Sequence, residues 1–119
     1  MLSPRAKEVV TQATPSKRVS LILTVRPDAE LADVSEIEDR KDRLSMLLKL
    51  YSRKKQPLLD HFSPYERAGL RVVDQLVGTP NLIVSAPARV WRRAIRERPK
   101  FFADPFVEVK ANEPEFVSL

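Results

Sequence analysis

Leu70-Arg71-Val72-Val73-Asp74-Gln75-Leu76-Val77, then Gly78-Thr79-Pro80-Asn81, then Leu82-Ile83-Val84-Ser85: two apolar runs joined by four turn-forming residues decide the fold of this 119-residue chain. Short runs rich in valine and isoleucine read as strands, and a Gly-Thr-Pro-Asn link between them reads as the turn of a β-hairpin. Gly69 marks the break that precedes it.

Upstream, Arg18 to Arg26 alternates, with Val19, Leu21, Leu23 and Val25 on one face and Ser20, Ile22 and Thr24 on the other. Period two with β-branched residues predicts a strand. The period then changes: Ile37, Leu44, Leu47, Leu48 and Tyr51 recur at helical spacing. Ser35 and Glu38 form a capping-box pattern, and Pro57 is expected to end or kink the helix near Gln56. Leu58, Leu59, Phe62 and Tyr65 continue the apolar stripe as a short second helical piece. Downstream, Pro87 suits a first helical turn, Val90, Trp91, Ala94 and Ile95 supply an apolar side, and Pro99 is expected to close the helix. Phe106 to Lys110 alternates again and predicts a fourth strand.

The order is thus β-α-β-β-α-β, which predicts an α+β fold. Four short strands and two one-sided helices pack as a ferredoxin-like two-layer sandwich, an antiparallel sheet with both helices on one face. The other face is left open. Ser20, Ile22, Thr24, Arg71, Val73, Gln75 and Val77, or their alternates, are its candidates. Residues 1–17, polar and carrying two prolines, read as a flexible N-terminal arm, residues 18–110 as the folded domain and 111–119 as an extended C-terminal tail.

Composition removes whole classes of function. The chain has no cysteine, one histidine and two glycines. It therefore carries no disulfide scaffold, thiolate metal site or cysteine nucleophile, and no glycine-rich phosphate loop. No cofactor or metal is expected. His61 beside Asp60 lacks the GxSxG elbow of a Ser-His catalyst and reads as a helix-end residue packed beside Phe62. Glu36, Glu38, Asp39 and Asp42 complement a helix dipole rather than bind a cation. Trp91 reads as a packing residue. The start of the chain lacks a secretory apolar stretch and no run approaches membrane-span length, so a cytoplasmic protein is expected, secreted if a signal has been removed.

The net charge is +5. Arg89, Arg92, Arg93, Arg96, Arg98 and Lys100 stand against Glu97 alone in one segment, and acids crowd Asp28 to Asp42 in another. A basic segment of this kind reads first as a solvated helix face, and alternatively as a surface that steers anionic partners, nucleic acid included. The tail differs from an ordinary polar terminus. Phe116-Val117-Ser118-Leu119 places large apolar residues at its fourth-last and last positions, as suits an extended chain docked in pockets.

The opening strand Val19 to Val25, the stretch Gly69 to Val73, the hairpin Leu76 to Ala86, the helix Pro87 to Arg96 and the strand Phe106 to Val109 together resemble the propeptide family of subtilisin-like serine proteases. The resemblance covers about residues 18–119. It implies a ferredoxin-like domain that lays its open sheet face on the protease, inhibits it and assists its folding. It also implies that Phe116, Val117, Ser118 and Leu119 lie in the active-site cleft with Leu119 in the primary pocket, and that Glu113 caps helix N-termini of the protease. The chain itself is then no enzyme. Two other readings stay open: a nucleic-acid module using Arg89, Arg92, Arg93 and Arg96, although its strands lack paired base-stacking aromatics, and a regulatory domain that self-associates through its open sheet.

Overall fold

A computed structural model describes residues 1–26 and 28–113. Strand β1 (Arg18–Val25), β2 (Arg71–Asp74), β3 (Asn81–Pro87) and β4 (Val107–Ala111) form one antiparallel sheet in the order 2-3-1-4. The central pair is β1 with β3, in a register that sets Ile22 opposite Ile83 and Leu23 opposite Leu82. Helices α1 (Pro4–Gln12), α2 (Ala29–Ser35), α3 (Arg40–Phe62), α4 (Ala88–Glu97) and α5 (Pro99–Ala103) complete the described fold, with a 3-10 turn at Ser63–Ala68.

Alternation in the strands places the core. Val19, Leu21 and Leu23 of β1, Leu82 and Val84 of β3, and Val107 and Val109 of β4 are buried together. Leu58 and Phe62 of α3 and Ala88, Val90, Trp91 and Ala94 of α4 close over them. Trp91 is fully buried, and its indole N–H donates to the Val19 carbonyl at 2.9 Å.

The largest departure from expectation lies at the N-terminus. Residues 1–17 are not a flexible arm: Pro4–Gln12 is helical, with the Ser3 hydroxyl accepting from the Ala6 N–H. Ala6 and Val10 belong to the central core. Ahead of the helix, Leu2 bridges to Val109 in parallel, and the Ser3 and Val109 N–H groups donate to the Val109 and Met1 carbonyls. Met1 to Ser3 thus cover the outer edge of β4, which would otherwise present unpaired backbone groups. The apolar spacing of Ala6, Val9 and Val10 is helical, but three turns were too short to stand out beside the prolines.

Other differences have local causes. The first helical region is split: Asp28 caps α2 and Asp39 caps α3, each accepting from an N–H three residues on. Ser35, expected as an N-cap, ends α2 and donates its hydroxyl to the Leu31 carbonyl. Pro57 neither ends nor breaks α3, which runs through to Phe62. The missing N–H costs one helical bond, and the burial of Leu58 and Phe62 on either side of the next turn holds the helix together. Strand β2 stops at Asp74 instead of Val77, with a register shift against β3 between Val72 and Asp74. Beyond it the chain turns: Asp74 accepts from the Leu76 N–H, Leu76 adopts φ +44°, and the buried Lys55 ammonium donates to the Gln75 and Leu76 carbonyls. Helix α4 ends at Glu97, ahead of Pro99 as expected, and Pro99 in turn opens the unexpected α5, a position where its missing N–H is not needed.

No helix among the described residues is long and apolar enough to cross a membrane. If α1 is part of the core, Val10→Ala lowers stability by about 2 kcal/mol through lost burial and the cavity left behind. Urea unfolding measures this, and a flexible arm would show no change.

Candidate functional site

The sheet face away from the core carries Ser20, Ile22 and Thr24 from β1 and Asn81, Ile83 and Ser85 from β3, in directly paired register. Lys110 and Glu108 of β4 stand opposite Ile22 and Thr24, and Arg71 of β2 opposite Ser85. Ile22 and Ile83, both half-buried, form an apolar centre. Polar groups around it are already tied in place: Thr24 Oγ1 donates to Asn81 Oδ1 at 2.7 Å, Arg18 Nη1 to Ser85 Oγ at 3.1 Å, and Lys110 pairs with Glu108 at 3.1 Å. The surface is pre-ordered, with a small greasy centre and a polar rim, which is the anatomy of a protein-binding patch. Of the residues expected on this face, Ser20, Ile22, Thr24 and Arg71 are there. Gln75 and Val77 lie instead in the loop after β2, and Val73 stands at the register shift.

The chain leaves this sheet at a fixed point. Asn112 donates its backbone N–H to the Ser20 carbonyl at 3.0 Å, which extends the β4–β1 pairing. Glu113 then receives a two-point grip from Arg5: Nε to Oε2 at 3.0 Å and Nη2 to Oε1 at 2.7 Å. This hydrogen-bonded guanidinium holds the Glu113 carboxyl below its usual range. Arg5 also meets Glu8 at 3.1 Å. Glu113, expected to cap helices of a protease, therefore has its partner inside the chain. Arg5 went unnoticed in the sequence because its value depends on α1 being folded. Phe116, Val117, Ser118 and Leu119 lie outside the described residues.

The basic segment on α4 is not a uniform charged face. Arg92 reaches across to the C-terminal end of α1, donating Nε to the Val10 carbonyl at 3.0 Å and Nη2 to those of Thr11 and Ala13. It thereby satisfies carbonyls that a helix end leaves without partners, and sets positive charge at the negative end of the dipole. Arg93 pairs with Glu97 at 3.0 Å and lies 5.4 Å from the Tyr65 ring centre. The Tyr65 hydroxyl donates to Glu97, and this bond, with the adjacent Arg93, holds the Glu97 carboxyl below its usual range. Arg89 and Arg96 are exposed. Of the four arginines named for nucleic acid, Arg92 is thus tied to another helix, Arg93 makes an exposed pair on its own helix, and Arg89 and Arg96 face solvent.

His61 is stacked on Phe101 with ring centres 4.0 Å apart, and Asp60 is turned away to accept from Gln56 at 2.8 Å. The Asp60–His61 pair therefore makes no catalytic dyad. Among the described residues no three His, Asp or Glu side chains converge to hold a metal ion. No protein-family model, curated protein or solved structure matches this chain.

The division of the arginines is open to measurement. Arg92→Met lowers unfolding free energy by about 2 kcal/mol, as for lost charge-assisted hydrogen bonds. Arg89→Gln and Arg96→Gln stay within about 0.5 kcal/mol of the parent. Equal effects at all three positions would contradict the assignment.

Proposed function

We propose that this chain is a propeptide-like inhibitor of a subtilisin-like serine protease, able to assist that protease's folding, and that it is not itself an enzyme. The antiparallel order 2-3-1-4, with helical connections from β1 to β2 and from β3 to β4, agrees with the ferredoxin-like sandwich that the sequence resemblance implies. The described fold departs from the simplest version of that sandwich by adding α1 to the helical layer and splitting the first connection into α2 and α3.

One observation carries the reading. A sheet with an ordered, partly apolar free face hands its last strand directly to the segment that ends in Phe116-Val117-Ser118-Leu119. A rigid platform and an extended tail act together, since docking the first confines the second near its target and lowers the entropy lost on binding. Burying Phe116 and Leu119 in pockets contributes roughly 3–6 kcal/mol before the cost of ordering the tail. No cofactor takes part. The nucleic-acid reading loses ground because Arg92, one of its four arginines, is engaged within the fold.

Inhibition assays against a panel of subtilisin-like proteases, with a chromogenic peptide substrate, test this directly. The full chain inhibits at least one member, and deletion of residues 116–119 weakens that inhibition by about 100-fold or more. Undiminished inhibition by the shortened chain contradicts the role of the tail. Absence of inhibition across the panel contradicts the function.

A further inference from the structure

His61 is the single histidine of the chain, and its Nε2 is a buried side-chain atom without a hydrogen-bond partner among the described residues. The ring lies almost flat on Phe101 of α5, with an interplanar angle of 20°, and meets the Phe62 ring edge-on at 5.9 Å. Arg98, at the corner between α4 and α5, brings Nη1 to 3.5 Å from Nδ1. A guanidinium only donates, so this approach suits a neutral ring whose Nδ1 carries the lone pair and whose proton sits on Nε2.

Among the described residues the surrounding acids are engaged elsewhere and none pairs with the ring. On α3, Asp60 is held by Gln56 and Lys54 by Asp28. At the α4–α5 corner Glu97 serves Tyr65 and Arg93, while Lys100 adds positive charge. Across the neighbouring cleft, Asp104 accepts from the Phe106 N–H, Glu30 pairs with Arg53, and Arg26 is cationic. Helix α5 has five residues; Phe102 anchors it in the core and its carbonyl accepts from the Leu2 N–H at 2.8 Å, whereas at its start the Phe102 N–H reaches the Arg98 carbonyl only at 3.4 Å and Phe101 rests on His61.

We propose that the His61–Phe101 stack is an acid-sensitive latch: a proton taken from solvent onto Nδ1, against Arg98, parts the two rings and frees α5 from the end of α3. His61 and Phe101 line both of two clefts, of about 630 and 350 Å³. Opening the latch joins these clefts and uncovers Phe101. The inference stands apart from the protease reading and survives its failure.

Linkage fixes the direction. Burial first, and Arg98 second, push the His61 pKa below its ordinary 6.5. The unlatched or unfolded state therefore binds the proton first as pH falls through 6.5, and the closed state loses stability from there down to its own lower pKa. The opening constant rises about tenfold for each pH unit separating the two midpoints.

A lone histidine gives unambiguous ring signals, so proton NMR titration of the whole chain, with amide exchange of α5, tests the latch. The His61 midpoint lies below 6.5, exchange of the Phe101 and Phe102 amides, corrected for intrinsic rate, quickens as the ring titrates, and Arg98→Gln moves the midpoint upward. His61→Phe keeps an aromatic stack and abolishes the acid response. A midpoint at or above 6.5, or α5 exchange that ignores the titration, overturns the proposal. So does an acid response that persists in His61→Phe; should that variant not fold, the Arg98→Gln shift decides.

Discussion

Trp91 sets the terms for the rest of the molecule. It is fully buried between α4 and the sheet, with its indole N–H on the Val19 carbonyl of the central strand and the Phe62 ring 5.7 Å away, edge to face. A large apolar ring with one polar handle can be buried only where that handle is satisfied. Here it fixes the height and rotation of α4 over β1, and with them the line along which α3 must approach. Because α1, α3 and α4 all contribute to this one core, the opposite sheet face is released from packing and can serve recognition.

Charge in this protein is used locally before it is used at a distance. Arg92 stitches α4 to the end of α1, Arg5 fastens Glu113 after β4, and Lys54 and Arg53 of α3 pair with Asp28 and Glu30 of α2. Of the acidic segment, Asp28 and Glu30 are paired in this way, with α3 and not with the basic segment of α4. Exposed pairs of this kind stabilise little individually, so their effect is chiefly to fix orientation. Surfaces open to partners include the sheet face, the solvent-facing Arg89 and Arg96 of α4, and the exposed Leu44, Met46 and Leu48 of α3.

Much of the scaffold was legible because strand alternation and helix spacing are strong signals. Val19, Leu21 and Leu23 faced the core as their period required, and Val90, Trp91 and Ala94 marked the buried side of α4. The signals failed where a single residue has two uses. Pro57 breaks most helices, yet burial of its neighbours outweighed one missing hydrogen bond. Gln75 to Val77 continued an apolar run in the sequence, whereas Lys55, twenty residues earlier, captured their carbonyls and turned the chain. Helix α1 was hidden for a related reason: its apolar residues gain stability only from a core assembled by distant strands. The partners of Glu113 and Arg92 depended on that helix and were hidden with it.

The central claim is that the free sheet face meets a protease. It is tested most directly by the isoleucine methyl spectrum of the chain on addition of a subtilisin-like protease whose catalytic serine has been replaced. Ile22 and Ile83 sit at the centre of that face, whereas Ile37 lies at the α2–α3 turn and Ile95 on α4. The account predicts that the Ile22 and Ile83 signals shift or broaden while the other two stay in place. Perturbation confined to Ile95 and Ile37, with the sheet pair unmoved, would contradict it.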